Sequence, residues 1–187
     1  IALFEALGGM SAEVLPPVKD YAPARAGGTA LGAAYEALAT EHARLLRPER
    51  ARLALEAAVA ADPRSATARA ALGDLLIARG RAREAEPHLR AAVALDPSDL
   101  DSFNALAGLY LEQREMDKAE RAHRDLVRHH PGYVPGHLRL GAILARRGAW
   151  AESRATLREA QRLDPDAPVD QALLAYLDAQ ANAARRP

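Results

Sequence analysis

Ala61-Asp62-Pro63, Leu95-Asp96-Pro97, His129-His130-Pro131 and Leu163-Asp164-Pro165 are four versions of one local word, and their spacing decides the fold. Successive prolines in them lie 34 residues apart. A fixed period of that length marks a stack of similar supersecondary units. With each proline set at place 32, the units run 32–65, 66–99, 100–133 and 134–167, followed by a remainder at 168–187.

Other places fall into register with the prolines. Place 7 holds Leu38, Leu72, Leu106, Leu140 and Leu174, and place 8 holds Ala39, Gly73, Ala107, Gly141 and Ala175. Place 20 reads Ala51, Ala85, Ala119 and Ser153; place 27 reads Ala58, Ala92, Leu126 and Ala160. The pattern resembles the unit of the tetratricopeptide repeat family, which implies two antiparallel helices per unit, over places 2–14 and 18–31. Helix axes about 8–10 Å apart admit only small side chains at their closest approach, which accounts for places 8, 20 and 27. Leucine at place 7, with Leu55, Leu89 and Leu157 at place 24, fills the layer between helices. The proline closes the second helix because it has no N–H to donate and constrains the residue before it. Gly80 and Gly148, at place 15, suit the turn inside units two and four.

Some positions depart from the pattern. Pro48 fits the first residue of a second helix. Pro87 falls several residues into the second helix of unit two, which is expected to begin late or bend there. His123 at place 24 and His137 at place 4 read as packing substitutions, and His129 and His130 as solvated side chains. Residues 1–31 lie outside the repeat. Ile1–Leu7 reads as a short helical turn stopped by Gly8-Gly9, and Pro16-Pro17, Pro23 and Gly27-Gly28 have the composition of a linker. The opening Ile leads to the expectation of a fragment or processed product with neighbouring domains.

Composition narrows the function classes. Alanine accounts for 45 of 187 residues, which favours helix. Arginine outnumbers lysine 23 to two, read as genomic bias, and the formal net charge is zero. That balance argues against a nucleic-acid partner held through phosphates. Without cysteine there is no disulfide, thiolate metal site or cysteine nucleophile. No uncharged apolar run approaches the roughly 18 residues of a membrane span, and Glu5 interrupts the opening apolar stretch, so no signal peptide is read there. The expectation is a soluble protein, with the cytoplasm favoured over the periplasm.

His129, His130 and His137 invite a metal reading, but the helical i, i+4 histidine pairing of zinc hydrolases is missing. Nor is there a GxSxG, HExxH, phosphate-cradling glycine loop or dinucleotide fingerprint. Glu84 and Glu86, and the basic run Arg79–Arg83, read as solvated faces that balance one another. The expectation is a non-enzyme with no cofactor and no metal.

The 34-residue pattern resembles the tetratricopeptide repeat family over 32–167, and 168–187 is similar to the solvating helix that closes such arrays. Gln171 and Asp178 there replace larger apolar residues, as an outer cap requires, and the Ala-Asn-Ala-Ala-Arg-Arg-Pro end at 181–187 is expected to fray. The resemblance implies an all-α, right-handed superhelical solenoid of antiparallel helix pairs. It also implies a concave surface, lined by the first helices, where a peptide or helix of a partner protein lies.

Places 2, 5, 6, 9, 12 and 13 project onto that surface, and the final helix adds Val169, Leu173 and Tyr176. The candidate binding residues are Asp74, Ile77, Asp101, Asn104, Leu111, Glu112, Leu138, Arg139, Arg146 and Tyr176. They set an apolar floor between acid in the middle and base toward the C-terminal end. Two specialisations of the family do not carry over. The chaperone-tail carboxylate clamp would need Lys, Asn, Asn, Lys and Arg where this chain has Glu36, Thr40, Ala71, Asp101 and Ala105, or, one unit on, Ala70, Asp74, Ala105, Pro135 and Arg139. The asparagine-lined sugar-transferase form fails because Asn104 and Asn182 are the only asparagines. Two further readings are kept. Ile1–Leu7 resembles the junction between bacterial sulfatase-like hydrolases and their C-terminal repeat tails, which makes the chain an accessory region of a larger enzyme. Alternatively, residues 1–9 dock in the groove of a second copy.

Overall fold

The computed structural model describes residues 28–183. The expected short helix at 1–7, and its two functional readings, lie outside the described residues. Among those described are nine helices and no strand. They are α1 (Gly28–Arg44), α2 (Pro48–Ala61), α3 (Ala66–Ala78), α4 (Ala82–Leu95), α5 (Leu100–Glu112), α6 (Met116–His129), α7 (Val134–Arg146), α8 (Trp150–Leu163) and α9 (Gln171–Ala183). From α2 to α8 each helix begins one place earlier than the family resemblance implies. The protein is an all-α repeat array, divided into two compact units at Asp96–Pro97.

In the first unit, α1 pairs with α2 and α3 with α4. Helix α1 starts at Gly28, inside the expected linker. The added turn brings Leu31 against the buried cluster of Tyr35, Ala57, Ala58 and Ala68, and apolar burial holds it in helix. Gly73 in α3 explains the small place 8 directly: a Cβ there would lie 2.6 Å from Leu89 Cγ of α4. Pro87 corrects the prediction of a late start, because α4 begins at Ala82, one place early like its neighbours, and contains the proline. Pro87 and Arg83 are both exposed, so water can reach the carbonyl that the missing N–H leaves free.

In the second unit, α5 pairs with α6 and α7 with α8, and α9 packs against α8. Gly141 repeats the Gly73 arrangement, with an added Cβ 2.6 Å from Leu157 Cγ. Ser153 Oγ, fully buried at place 20, donates to the Gly141 carbonyl at 2.7 Å and ties α8 to α7. His123 and His137 are buried, as packing substitutions should be. His123 Nδ1 lies 2.9 Å from the Ala119 carbonyl, and His137 Nε2 2.8 Å from that of Pro131. His129 is exposed, as expected of a solvated side chain, and stacks on Phe103 at 5.4 Å between centroids, whereas half-buried His130 corrects that reading: its ring meets Phe103 edge-on at 5.6 Å. Asp178 also departs from expectation. It accepts from Arg154 and Arg158 at 3.1 and 3.0 Å, so it anchors α9 instead of merely solvating it. The expected frayed end is helical as far as Ala183, with 184–187 outside the described residues.

All four turns within repeats share one closure. The place-16 N–H donates to the place-11 carbonyl: Arg47 to His42, Arg81 to Leu76, Glu115 to Tyr110 and Ala149 to Leu144, at 2.8–3.0 Å. This Schellman closure needs a left-handed residue at place 15. Gly80 and Gly148 supply it at φ +70° and +76°. Leu46 and Arg114 are forced into the same region at φ +54° and +59°. A side chain there costs about 1–2 kcal/mol, and Leu46 is 88% exposed, so little packing offsets the strain. Leu46→Gly and Arg114→Gly should each raise stability by about 1 kcal/mol in chemical denaturation; the control Gly80→Leu should lower it by a similar amount.

Candidate functional site

The crossing geometry that buries one side of each first helix leaves the other side open. Place 8 (Ala39, Gly73, Ala107, Gly141) and place 11 (His42, Leu76, Tyr110, Leu144) are buried in all four repeats. Every side chain at places 2, 5, 6, 9, 12 and 13 of α1, α3, α5 and α7 is exposed or half-buried. The period of 3.6 residues puts these two sets on opposite sides of each helix.

Two of the ten candidate residues stand in the first unit and eight in the second. On α3, Asp74 is exposed and Ile77 half-buried. On α5, Asp101 and Glu112 are exposed while Asn104 and Leu111 are half-buried. On α7, Arg139 and Arg146 are exposed and Leu138 is half-buried against the core. Tyr176 on α9 is 48% exposed. Its ring meets Trp150 edge-on, with centroids 5.6 Å apart.

Two findings concern this face. Asn104 is held in place by its Nδ2, which donates to Tyr133 Oη at 3.2 Å and leaves its second N–H and its Oδ1 for a ligand. The same places are joined in the first repeat, where Ser65 Oγ donates to Glu36 Oε1 at 2.6 Å. A place-5 side chain thus ties the first helix to the chain entering the next repeat. Val169, expected in the lining, is buried with Leu157, Ala160, Ala167, Leu174 and Leu177. Sequence reasoning also missed Trp150. As the first residue of a second helix it falls outside the places projected onto the surface, yet it shares that core cluster with Leu138 and Leu173.

Arg44, at the open place 13 of α1, pairs with Glu41 of the same helix at 2.6 Å. Ion pairs gather on the second helices and the turns: Arg79 with Glu49 in the first unit, Arg124 with Glu120 and Glu152, and Arg147 with Asp117 and Glu120, in the second. Arg81–Glu84 confirms that the basic run at 79–83 is internally balanced. Arg139 reaches inward electrostatically. Burial holds His123 below the ordinary histidine range, its bond to the Ala119 carbonyl opposes this, and the Arg139 charge adds to the lowering. Among the described residues no cluster of three or more His, Asp or Glu side chains is placed to hold a metal ion. None of the described helices is long and apolar enough to cross a membrane.

A family model described as tetratricopeptide repeat matches residues 36–99 and 104–168, and a second model of the same description matches 77–127. The chain belongs to the tetratricopeptide repeat family. Several solved structures resemble it in fold. MamA is 22% identical, with a TM-score of 0.63 over 72% of this chain and 78% of its own. YrrB, described as having an unusual peptide-binding site, is 18% identical, with a TM-score of 0.58 over 79% and 74%. PilF of Pseudomonas aeruginosa is 22% identical, with a TM-score of 0.58 over 84% and 72%. The small residues at places 8 and 20 are buried in every repeat.

Proposed function

We propose that this tetratricopeptide repeat chain is a non-catalytic interaction module that binds a polypeptide segment of a partner along the first-helix faces of its repeats. The observation that carries the reading is the open set of places 2, 5, 6, 9, 12 and 13. In every repeat the fold has no use for most of these side chains, and within each unit they offer small or apolar surface edged with charge. Extended peptides and amphipathic helices are the ligands such a surface suits. Members of the family are generally non-catalytic interaction modules, and YrrB is a neighbour whose description names a peptide-binding site. The specificity residues of this reading are Asp74, Asp101, Glu112, Arg139 and Arg146, with Ile77, Leu111, Leu138 and Tyr176 as its apolar part.

The test is selection of a displayed peptide library on the full chain, followed by NMR mapping of the enriched peptides. Shifts concentrated on the open places of α1, α3, α5 or α7 support the proposal. Failure to enrich any peptide, or shifts confined to the second helices, overturns it.

A further inference from the structure

The face shared by α7 and α9 in the second unit is the place where charge complementarity narrows the partner. Helix α7, Val-Pro-Gly-His-Leu-Arg-Leu-Gly-Ala-Ile-Leu-Ala-Arg, contains no acidic residue. Its exposed positions run Pro135, Arg139, Ala142, Arg146, at spacings of four, three and four. That row places the two guanidinium groups on one side of the helix, with their Cα atoms about 10 Å apart along the axis. Neither arginine makes an ion pair among the described residues, and neither has a further unassigned partner. The one acid of α9, Asp178, is held by Arg154 and Arg158 of α8 and so is withdrawn from this face.

The face has an apolar floor as well as charge. Leu138 of α7, Leu173 of α9 and Trp150 are all half-buried against one core cluster. Tyr176 stands beside Trp150 with about half its surface open. Tyrosine, tryptophan and arginine are the residue types enriched in protein-binding hot spots, and α7, α8 and α9 of this unit supply all three. The positive charge is local: the protein as a whole is neutral, and the other arginines of α8 are engaged with Asp178 or Glu159.

We propose that the α7–α9 face binds an acidic segment of a partner protein that carries apolar side chains between or beside its carboxylates. The segment is extended, with two acidic residues three positions apart. In a polyproline-like conformation this puts both on one side about 9 Å apart, within reach of Arg139 and Arg146. An aliphatic or aromatic neighbour then covers Leu138, Leu173 and Tyr176. This assignment rests on the interaction-module reading above and names the chemistry of its ligand.

The experiment uses the full chain and a dodecapeptide blocked at both ends, with two aspartates three residues apart around a leucine and a phenylalanine. Its analogues carry asparagine or lysine at the two acidic positions. The aspartate peptide should bind about tenfold more tightly than the asparagine analogue and weaken with added salt. In the double variant Arg139→Glu/Arg146→Glu the preference should invert, so that the lysine peptide binds best; this inversion also shows that the variant is folded. Tyr176→Ala should weaken the aspartate and asparagine peptides alike. Equal affinity for the aspartate and asparagine peptides, or displacement by an oligothymidylate at equal concentration, overturns the proposal. If library-selected peptides map to α1, α3 or α5 while the aspartate peptide fails on α7 and α9, the interaction-module reading stands and this assignment falls. If no peptide binds anywhere, both fall.

Discussion

Gly136→Ala destabilises the second unit by about 2 kcal/mol, but by only about 0.5 kcal/mol in a protein that already carries Leu126→Ala. The reason is a compensated exception to the repeat. Place 27 holds alanine in three repeats, but Leu126 in the third. Leu126 is fully buried and occupies the space over Gly136, where an added Cβ would collide with Leu126 Cδ2 and press on Tyr133 Cδ1 at 3.0 Å. Each residue is therefore unfavourable without the other. Leu126→Ala alone opens a cavity over a glycine and should cost about 3 kcal/mol. The double variant places alanine on both sides, and its coupling in a double-mutant cycle should exceed about 1.5 kcal/mol. Chemical denaturation of the four proteins checks this. Additive effects would show that the two side chains do not share the space.

His42→Leu is expected to stabilise the first unit by about 2 kcal/mol at neutral pH and to flatten its acid sensitivity. His42 is 2% exposed at place 11, where two other repeats have Leu76 and Leu144. Both of its ring nitrogens are buried without a hydrogen-bond partner. Burial, then the charges of Arg50 and Arg47, hold its pKa below the ordinary 6.5, with Glu41 opposing. The folded state therefore resists the proton that the unfolded chain accepts. Stability is complete above the ordinary histidine value and is lost as pH falls through it toward the folded-state value. Melting temperatures between pH 7.5 and 5.5 should fall in the parent and fall less in His42→Leu. Parallel curves would remove His42 as a source of acid sensitivity. His123, lowered by burial in the second unit, supplies a separate contribution that His123→Leu should remove.

Much of the architecture was legible because the packing constraint is periodic. Close approach of two helices demands a small side chain at one place and a large one opposite it, and Gly73 under Leu89 and Gly141 under Leu157 recur at the repeat interval. Polar and strained features were less legible. The Schellman closure is identical in all four repeats, yet only two carry the glycine that signals it; Leu46 and Arg114 adopt the same backbone because hydrogen bonds and packing on either side outweigh their strain. Pro87 misled for a related reason, since an exposed helix turn tolerates a missing donor when water replaces it.

The candidate face divides along the same line. Which first-helix residues stay out of the core followed from the 3.6-residue period alone, and every projected position in the four repeats is open. Whether an open side chain is available does not follow from periodicity. Asn104 is oriented by Tyr133, Val169 turns into the core, and Asp178 is captured by two arginines of the preceding helix. Trp150 joins Tyr176 from a helix the projection leaves out.

By itself the sequence determined the repeat, its helix pairs and the sidedness of each first helix, because these depend on side-chain size and spacing within a short span of chain. Only the tertiary structure decided which charges remain unpaired and which aromatic rings meet. Those outcomes depend on side chains some two dozen residues apart, such as Arg154 with Asp178 and Trp150 with Tyr176, whose meeting is set by how helices of successive repeats stack.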